Sequence, residues 1–190
     1  IGAFGLVGAL GAAAAARAIR SGPAADPETQ LGPVVSRRQW EMIQGYIARG
    51  VEEGATLVCG GPGLPEGLTC GYHVRPTIFS HVTNRMAIAR EEIFGPVLSI
   101  LGYASIEEAV SIANDSPYGL AAYVQAADQQ EARRIARGLR VGSVFINNPP
   151  FDLSAPIGGF KMSGYGREWG VFGLEEFLAT RALLGYHAAE

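Results

Sequence analysis

Short apolar runs alternate along this chain with segments whose apolar residues recur at helical spacing, and that alternation constrains its fold more than any other feature. Thr56 to Cys59, Tyr72 to Phe79, Val97 to Tyr103, Leu120 to Gln125 and Ser143 to Ile146 read as strands. Ser36-Arg-Arg-Gln39, Ser105-Ile-Glu-Glu108 and Asp128-Gln-Gln-Glu131 each match the capping pattern that opens a helix. Trp40, Ile43, Ile47 and Val51 then fall on one face of the first helix, and Ile106, Ala109, Val110 and Ala113 on one face of the second. The third runs to about Leu139, and a further helix is expected near Gly173 to Thr180. Ser21 to Pro33 reads as a loop, and Asn114-Asp-Ser-Pro-Tyr-Gly119 as a helix stop. Helices set between apolar strands predict an α/β chain, with a parallel or mixed sheet covered by helices.

At 190 residues, 48% of them hydrophobic and 17% charged, the chain can bury about 70% of the surface it exposes when unfolded, so it can support a core without metal or disulfide staples. Fifteen Lys and Arg against 18 Asp and Glu give a net charge of −3, with no block of like charges. That balance gives no footprint for nucleic acid or for an anionic membrane. Cys59 and Cys70 are too few for a disulfide framework and match no common zinc spacing. His73, His81 and His187 form no metal-binding pattern. No metal site is expected, and a reducing, cytoplasmic setting follows from the cysteine usage. Residues 1–16 carry no charge but are too few to span a bilayer, and they lack the basic start of a signal peptide. Gly2, Gly5, Gly8 and Gly11 would weaken a helix there by about 1 kcal/mol each relative to Ala. A chain opening on Ile reads as a fragment, organised as a truncated helical segment (1–20), a main body (21–180) and a tail (181–190).

The common nucleotide and hydrolase signatures are absent. There is no G-x-x-x-x-G-K-[ST] and no G-x-S-x-G, and Pro62 and Pro65 remove backbone donors from the Gly-rich stretch at 60–67. Three other segments concentrate special residues: Glu91-Glu-Ile-Phe-Gly-Pro-Val97, Asn114-Asp-Ser-Pro-Tyr-Gly-Leu120 and Ala155-Pro-Ile-Gly-Gly-Phe-Lys-Met-Ser-Gly-Tyr-Gly-Arg-Glu168. In this order and at these intervals they resemble the aldehyde dehydrogenase superfamily. The resemblance runs from about Ala13, through Asp26-Pro-Glu-Thr-Gln-Leu-Gly-Pro33, to about Leu184. It implies the later part of that family's catalytic domain plus its oligomerisation tail.

The family oxidises aldehydes with a cysteine nucleophile in a G-Q-x-C segment and a general-base glutamate, passing hydride to NAD or NADP. Neither segment is present between residues 1 and 190, and Cys59 and Cys70 read as structural. The resemblance assigns Glu92 to the nicotinamide ribose, since a carboxylate beside a Phe-Gly-Pro turn can accept two hydrogen bonds from a cis-diol. Glu91 reads as a solvated acidic neighbour. Phe94 would pack near the nicotinamide ring. Gln39 corresponds to a glutamine near the coenzyme in some relatives, but its place in the capping box explains it equally, and a lysine of some relatives falls on Met42 here. Phe151 matches a loop position that lines the aldehyde entry. Asn147, Lys161, the Arg167–Glu168 pair and the glycines at 158, 159, 164 and 166 read as structural.

Two functions follow. In the first, the chain is a fragment of an NAD(P)-dependent aldehyde dehydrogenase, a homodimer or homotetramer when intact and inactive as this piece alone. In the second, it is a non-catalytic truncated paralogue that acts through subunit association. Sequence upstream of Ile1 discriminates them, because a G-Q-x-C segment there belongs only to the first. The tail run Arg181-Ala-Leu-Leu-Gly-Tyr186 could form a strand that pairs with another chain.

Overall fold

The computed structural model describes residues 2–185. It divides into two units, residues 1–112 and 113–190. The first contains helices α1 (Gly2–Ala18), α2 (Arg37–Glu52) and α3 (Ala87–Arg90) and strands β1 (Thr56–Cys59), β2 (Thr77–Ser80) and β3 (Val97–Ser99). β2 lies between the other two, antiparallel to β1 and parallel to β3. The sheet is therefore mixed, one of the two forms the sequence allows.

Helix α2 begins where its capping pattern places it, with Ser36 Oγ accepting from Gln39 N at 3.2 Å. Its buried face carries Ile43 and Ile47, both fully buried against Phe79 and Ile88. Val51 departs from the expected stripe and is 48% exposed. Gly50 takes the inner position, where a Cβ would lie 3.0 Å from Ile88 Cδ1 and 3.1 Å from Phe79 Cζ. A Cβ at that turn would have to displace Ile88 or Phe79 by a few tenths of an ångström, so the close packing favours a glycine at the end of the stripe.

Helix α1 forms despite its glycines. Ala9, Ala13 and Ala16 are buried, and Ala13 and Ala16 pack with Cys59 and Ile78 of the sheet. Tertiary packing of small side chains outweighs the propensity cost. Two strands of this first unit are shorter than their apolar runs. Residues 72–76 stay outside β2, where Pro76 has no N–H to offer a ladder. β3 ends at Ser99, although Ile100 N still donates to Phe79 O at 2.9 Å.

Helix α4 (Ile106–Asn114) starts at its cap, with Ser105 Oγ accepting from Glu108 N, and the division between the units falls within it. Ile106, Ala109 and Val110 are half-buried while Ala113 is exposed. In the second unit, β4 (Ala121–Val124), α5 (Gln129–Gly138) and β5 (Ser143–Ile146) form a βαβ unit, its strands parallel in the register Ala121↔Ser143 to Val124↔Ile146. Asp128 caps α5 by accepting from Gln130 N at 2.9 Å. The helix near the C-terminus, α6 (Gly170–Glu175), starts earlier than its expected position at Gly173. Residues 181–185 form no strand within this chain and pair with no described strand, and Tyr186 lies outside the described residues. No described helix is long and apolar enough to cross a membrane.

Candidate functional site

The segment between α3 and β3 is held from three sides. Ile93 is buried in the core of the first unit. Pro96 O accepts from Thr77 N at 2.9 Å, which registers the segment on β2. Gly95 lies so close to α2 that a Cβ would stand 2.6 Å from Ile43 Cδ1. These anchors turn Phe94 outward: its φ is +53°, in the left-handed region, and its ring is 71% exposed.

The two glutamates beside it differ. Glu91 is tied back to α2, accepting from Tyr46 Oη at 2.7 Å and facing Arg49 Nη1 at 3.6 Å. These contacts anchor a carboxylate that is still about half exposed to solvent. Glu92 is exposed and has no hydrogen-bond or ion-pair partner among the described residues. Its acceptor sites remain available beside an exposed aromatic face.

Gln39 has a further role. Its Nε2 donates to Phe94 O at 2.7 Å while its Oε1 accepts from Val35 N at 3.3 Å. The side chain therefore bridges the start of α2 to the segment carrying Phe94, and its backbone N–H still completes the Ser36 cap. Gln39, Glu92 and Phe94 are brought together; Met42, three residues further along α2, is 42% exposed.

Phe151 belongs to the second unit, on the loop after β5. It is 70% exposed and meets Trp169 edge-on, with ring centroids 5.1 Å apart. The two rings border a cavity of about 490 Å³ whose walls include Phe145, Pro149, Pro156 and Ile157. At its edge, Asp152 Oδ1 accepts from both Ser154 Oγ, at 2.6 Å, and Ser154 N, at 2.8 Å. Those bonds, the hydroxyl one foremost, hold the Asp152 carboxyl below its usual range. Sequence reasoning places Asp152 at this mouth with Phe151, Leu153 and Ser154 but misses Trp169. Trp169 is eighteen residues from Phe151 in the chain, with no periodic signal to link them.

The residues read as structural are placed accordingly. Lys161 Nζ donates to Asn114 O at 3.0 Å and Ser116 O at 2.9 Å. Arg167 Nη1 donates to Gly159 O, Tyr165 O and Gly166 O, and its guanidinium lies 5.3 Å from the Phe160 ring centroid. Asn147 clasps Ala126 through both its amide atoms. Gly158 and Gly159 permit close backbone contacts and Gly164 has φ +106°, whereas Gly166 has open space around it and needs no glycine on either ground. Cys59 is buried, with Sγ 3.9 Å from Pro76 O, and Cys70 is exposed. No cluster of three potential metal ligands occurs among the described residues.

The aldehyde dehydrogenase family model matches residues 9–183. Among solved structures, aldehyde dehydrogenase C of Pseudomonas syringae, a variant complexed with NAD+ and octanal, is 48% identical at a TM-score of 0.92, over 96% of this chain and 38% of that one. The Mycobacterium tuberculosis aldehyde dehydrogenase complexed with NAD+ is 47% identical at a TM-score of 0.85, over 91% of this chain and 36% of that one. A curated relative from Staphylococcus saprophyticus is 48% identical over 89% of this chain, which spans 36% of that relative's length.

Proposed function

The chain belongs to the aldehyde dehydrogenase family, and from that premise we propose that it forms the C-terminal part of an NAD(P)-dependent enzyme that oxidises an aldehyde to a carboxylic acid. The observation that carries this reading is the Glu92 carboxylate, unpaired among the described residues, beside the outward-turned Phe94 ring. The donor set suits a nicotinamide nucleoside: a free carboxylate offers two acceptors to a ribose cis-diol, and an exposed aromatic face suits a planar ring. When bound, a nicotinamide coenzyme supplies a hydride acceptor. Glu92 then fixes the ribose, Phe94 limits the tilt of the ring, and Gln39 acts as a positioning residue by holding the Phe94 carbonyl. NAD+ is the form bound to the two solved relatives and is the coenzyme we assign first, with NADP as the alternative.

In this reading the nucleophilic cysteine and the general base come from sequence outside residues 1–190, Phe151 lines the aldehyde entry, and the enzyme works in the cytoplasm. The test is direct: full-length protein containing this chain, supplied with NAD or NADP and a panel of aldehydes, should form reduced coenzyme and carboxylate in equal amounts. Absence of turnover with every aldehyde, from folded protein, would return the chain to the non-catalytic association reading.

We assign the tail, residues 181–190, to subunit contact in a homodimer or homotetramer. Leu183 and Leu184 are 64% and 94% exposed, and no described strand covers this apolar run. Light scattering of the full-length enzyme should show a defined oligomer that loses mass when residues 181–190 are deleted. An unchanged mass in a still-folded protein would remove the tail as the main contact.

A further inference from the structure

We propose that Asp152 sets the charge class of the aldehyde, favouring neutral and cationic aldehydes over those that carry a carboxylate. This rests on the reading of Phe151 as part of the substrate entry and deepens it.

The cavity beside Phe151 is walled by aromatic and aliphatic side chains, and Asp152 is the only charged residue lining it among the described residues. Among the described residues no Lys, Arg or His forms an ion pair with it, and both Ser154 bonds go to Oδ1, leaving Oδ2 open. Those bonds favour the ionised form, so the charge is present throughout the neutral range. Asp152 is exposed, so its carboxylate acts on an approaching aldehyde through solvent, as a steering charge whose strength depends on salt. Phe151 and Trp169, both lining the cavity, add to the preference to the extent of the ring face left free by their edge-to-face contact, because an aromatic quadrupole attracts a cation and repels an anion. A hydrocarbon chain gains from the same walls whatever its terminus. Discrimination therefore falls on the far end of the aldehyde rather than on its carbonyl.

The experiment uses the full-length enzyme and three aldehydes of equal chain length: unsubstituted, with a terminal carboxylate, and with a terminal trimethylammonium group. The quantity read is the ratio of kcat/KM for the cationic aldehyde to that for the anionic one. Asp152→Asn keeps the acceptor oxygen for Ser154 and removes the charge, so this ratio should fall by about threefold. In the unaltered enzyme the ratio should also fall as salt is raised, an effect that needs no variant. Phe151→Ala is the control for the entry itself and should raise KM for all three. If Phe151→Ala raises KM while Asp152→Asn leaves the ratio unchanged, the charge filter is wrong and the entry stands. If Phe151→Ala alters no KM, the entry reading falls and the filter with it.

Discussion

Residues 1–190 expressed alone are expected to give no aldehyde-dependent formation of NADH or NADPH above a buffer blank. Oxidation through a covalent intermediate needs a thiolate that can reach the carbonyl and a base positioned to serve it. Cys59 is packed with Ala13, Ala16 and Ile78, its sulfur turned toward the Pro76 carbonyl, so an aldehyde could reach it only by disrupting that core. Cys70 is exposed but has no histidine or carboxylate bonded to it among the described residues. The measurement is a coupled absorbance assay on protein whose fold has been checked by circular dichroism. Turnover that Cys59→Ser or Cys70→Ser abolishes would mean that the chain holds its own nucleophile and that the division of labour proposed here is wrong.

The legible parts of the fold were those set by contacts close in sequence. β1 and β5 have the ends that their apolar runs give, and α2, α4 and α5 start at their capping residues, because a cap needs only a hydroxyl or carboxylate a few residues ahead of a free N–H. Features decided by distant partners were less legible. β2 begins only after Pro76, which has no N–H for a ladder, and the stripe on α2 gives way to Gly50, where a Cβ would press on Phe79 and Ile88. The site shows the same limit. The resemblance selects the segment around Glu92, yet the clamp from Gln39 Nε2 to Phe94 O spans 55 residues and has no local signature. The pairing of Phe151 with Trp169 is equally non-local.

Adjacent glutamates should respond very differently to the same change, and this tests the site most severely. In the full-length enzyme, Glu92→Gln keeps shape and polarity but turns two charge-assisted bonds to the ribose into weaker neutral ones. Charge-assisted bonds contribute about 1.5–3 kcal/mol, so coenzyme affinity or hydride transfer should fall roughly ten- to a hundred-fold. Glu91→Gln weakens only the contacts to Tyr46 and Arg49. That pair is about half exposed on both sides, so the loss should be below about 1 kcal/mol and appear as a small fall in Tm, with kcat/KM nearly unchanged. Coenzyme titration by fluorescence and single-turnover kinetics separate binding from chemistry. Coenzyme affinity falling with kcat unchanged would place Glu92 in ground-state binding, whereas a fall in kcat would place it in holding the nicotinamide at the geometry of transfer. Small and equal effects at both positions would instead mean that the free carboxylate of Glu92 faces only water, and the ribose assignment would be lost even though the chain's family would stand.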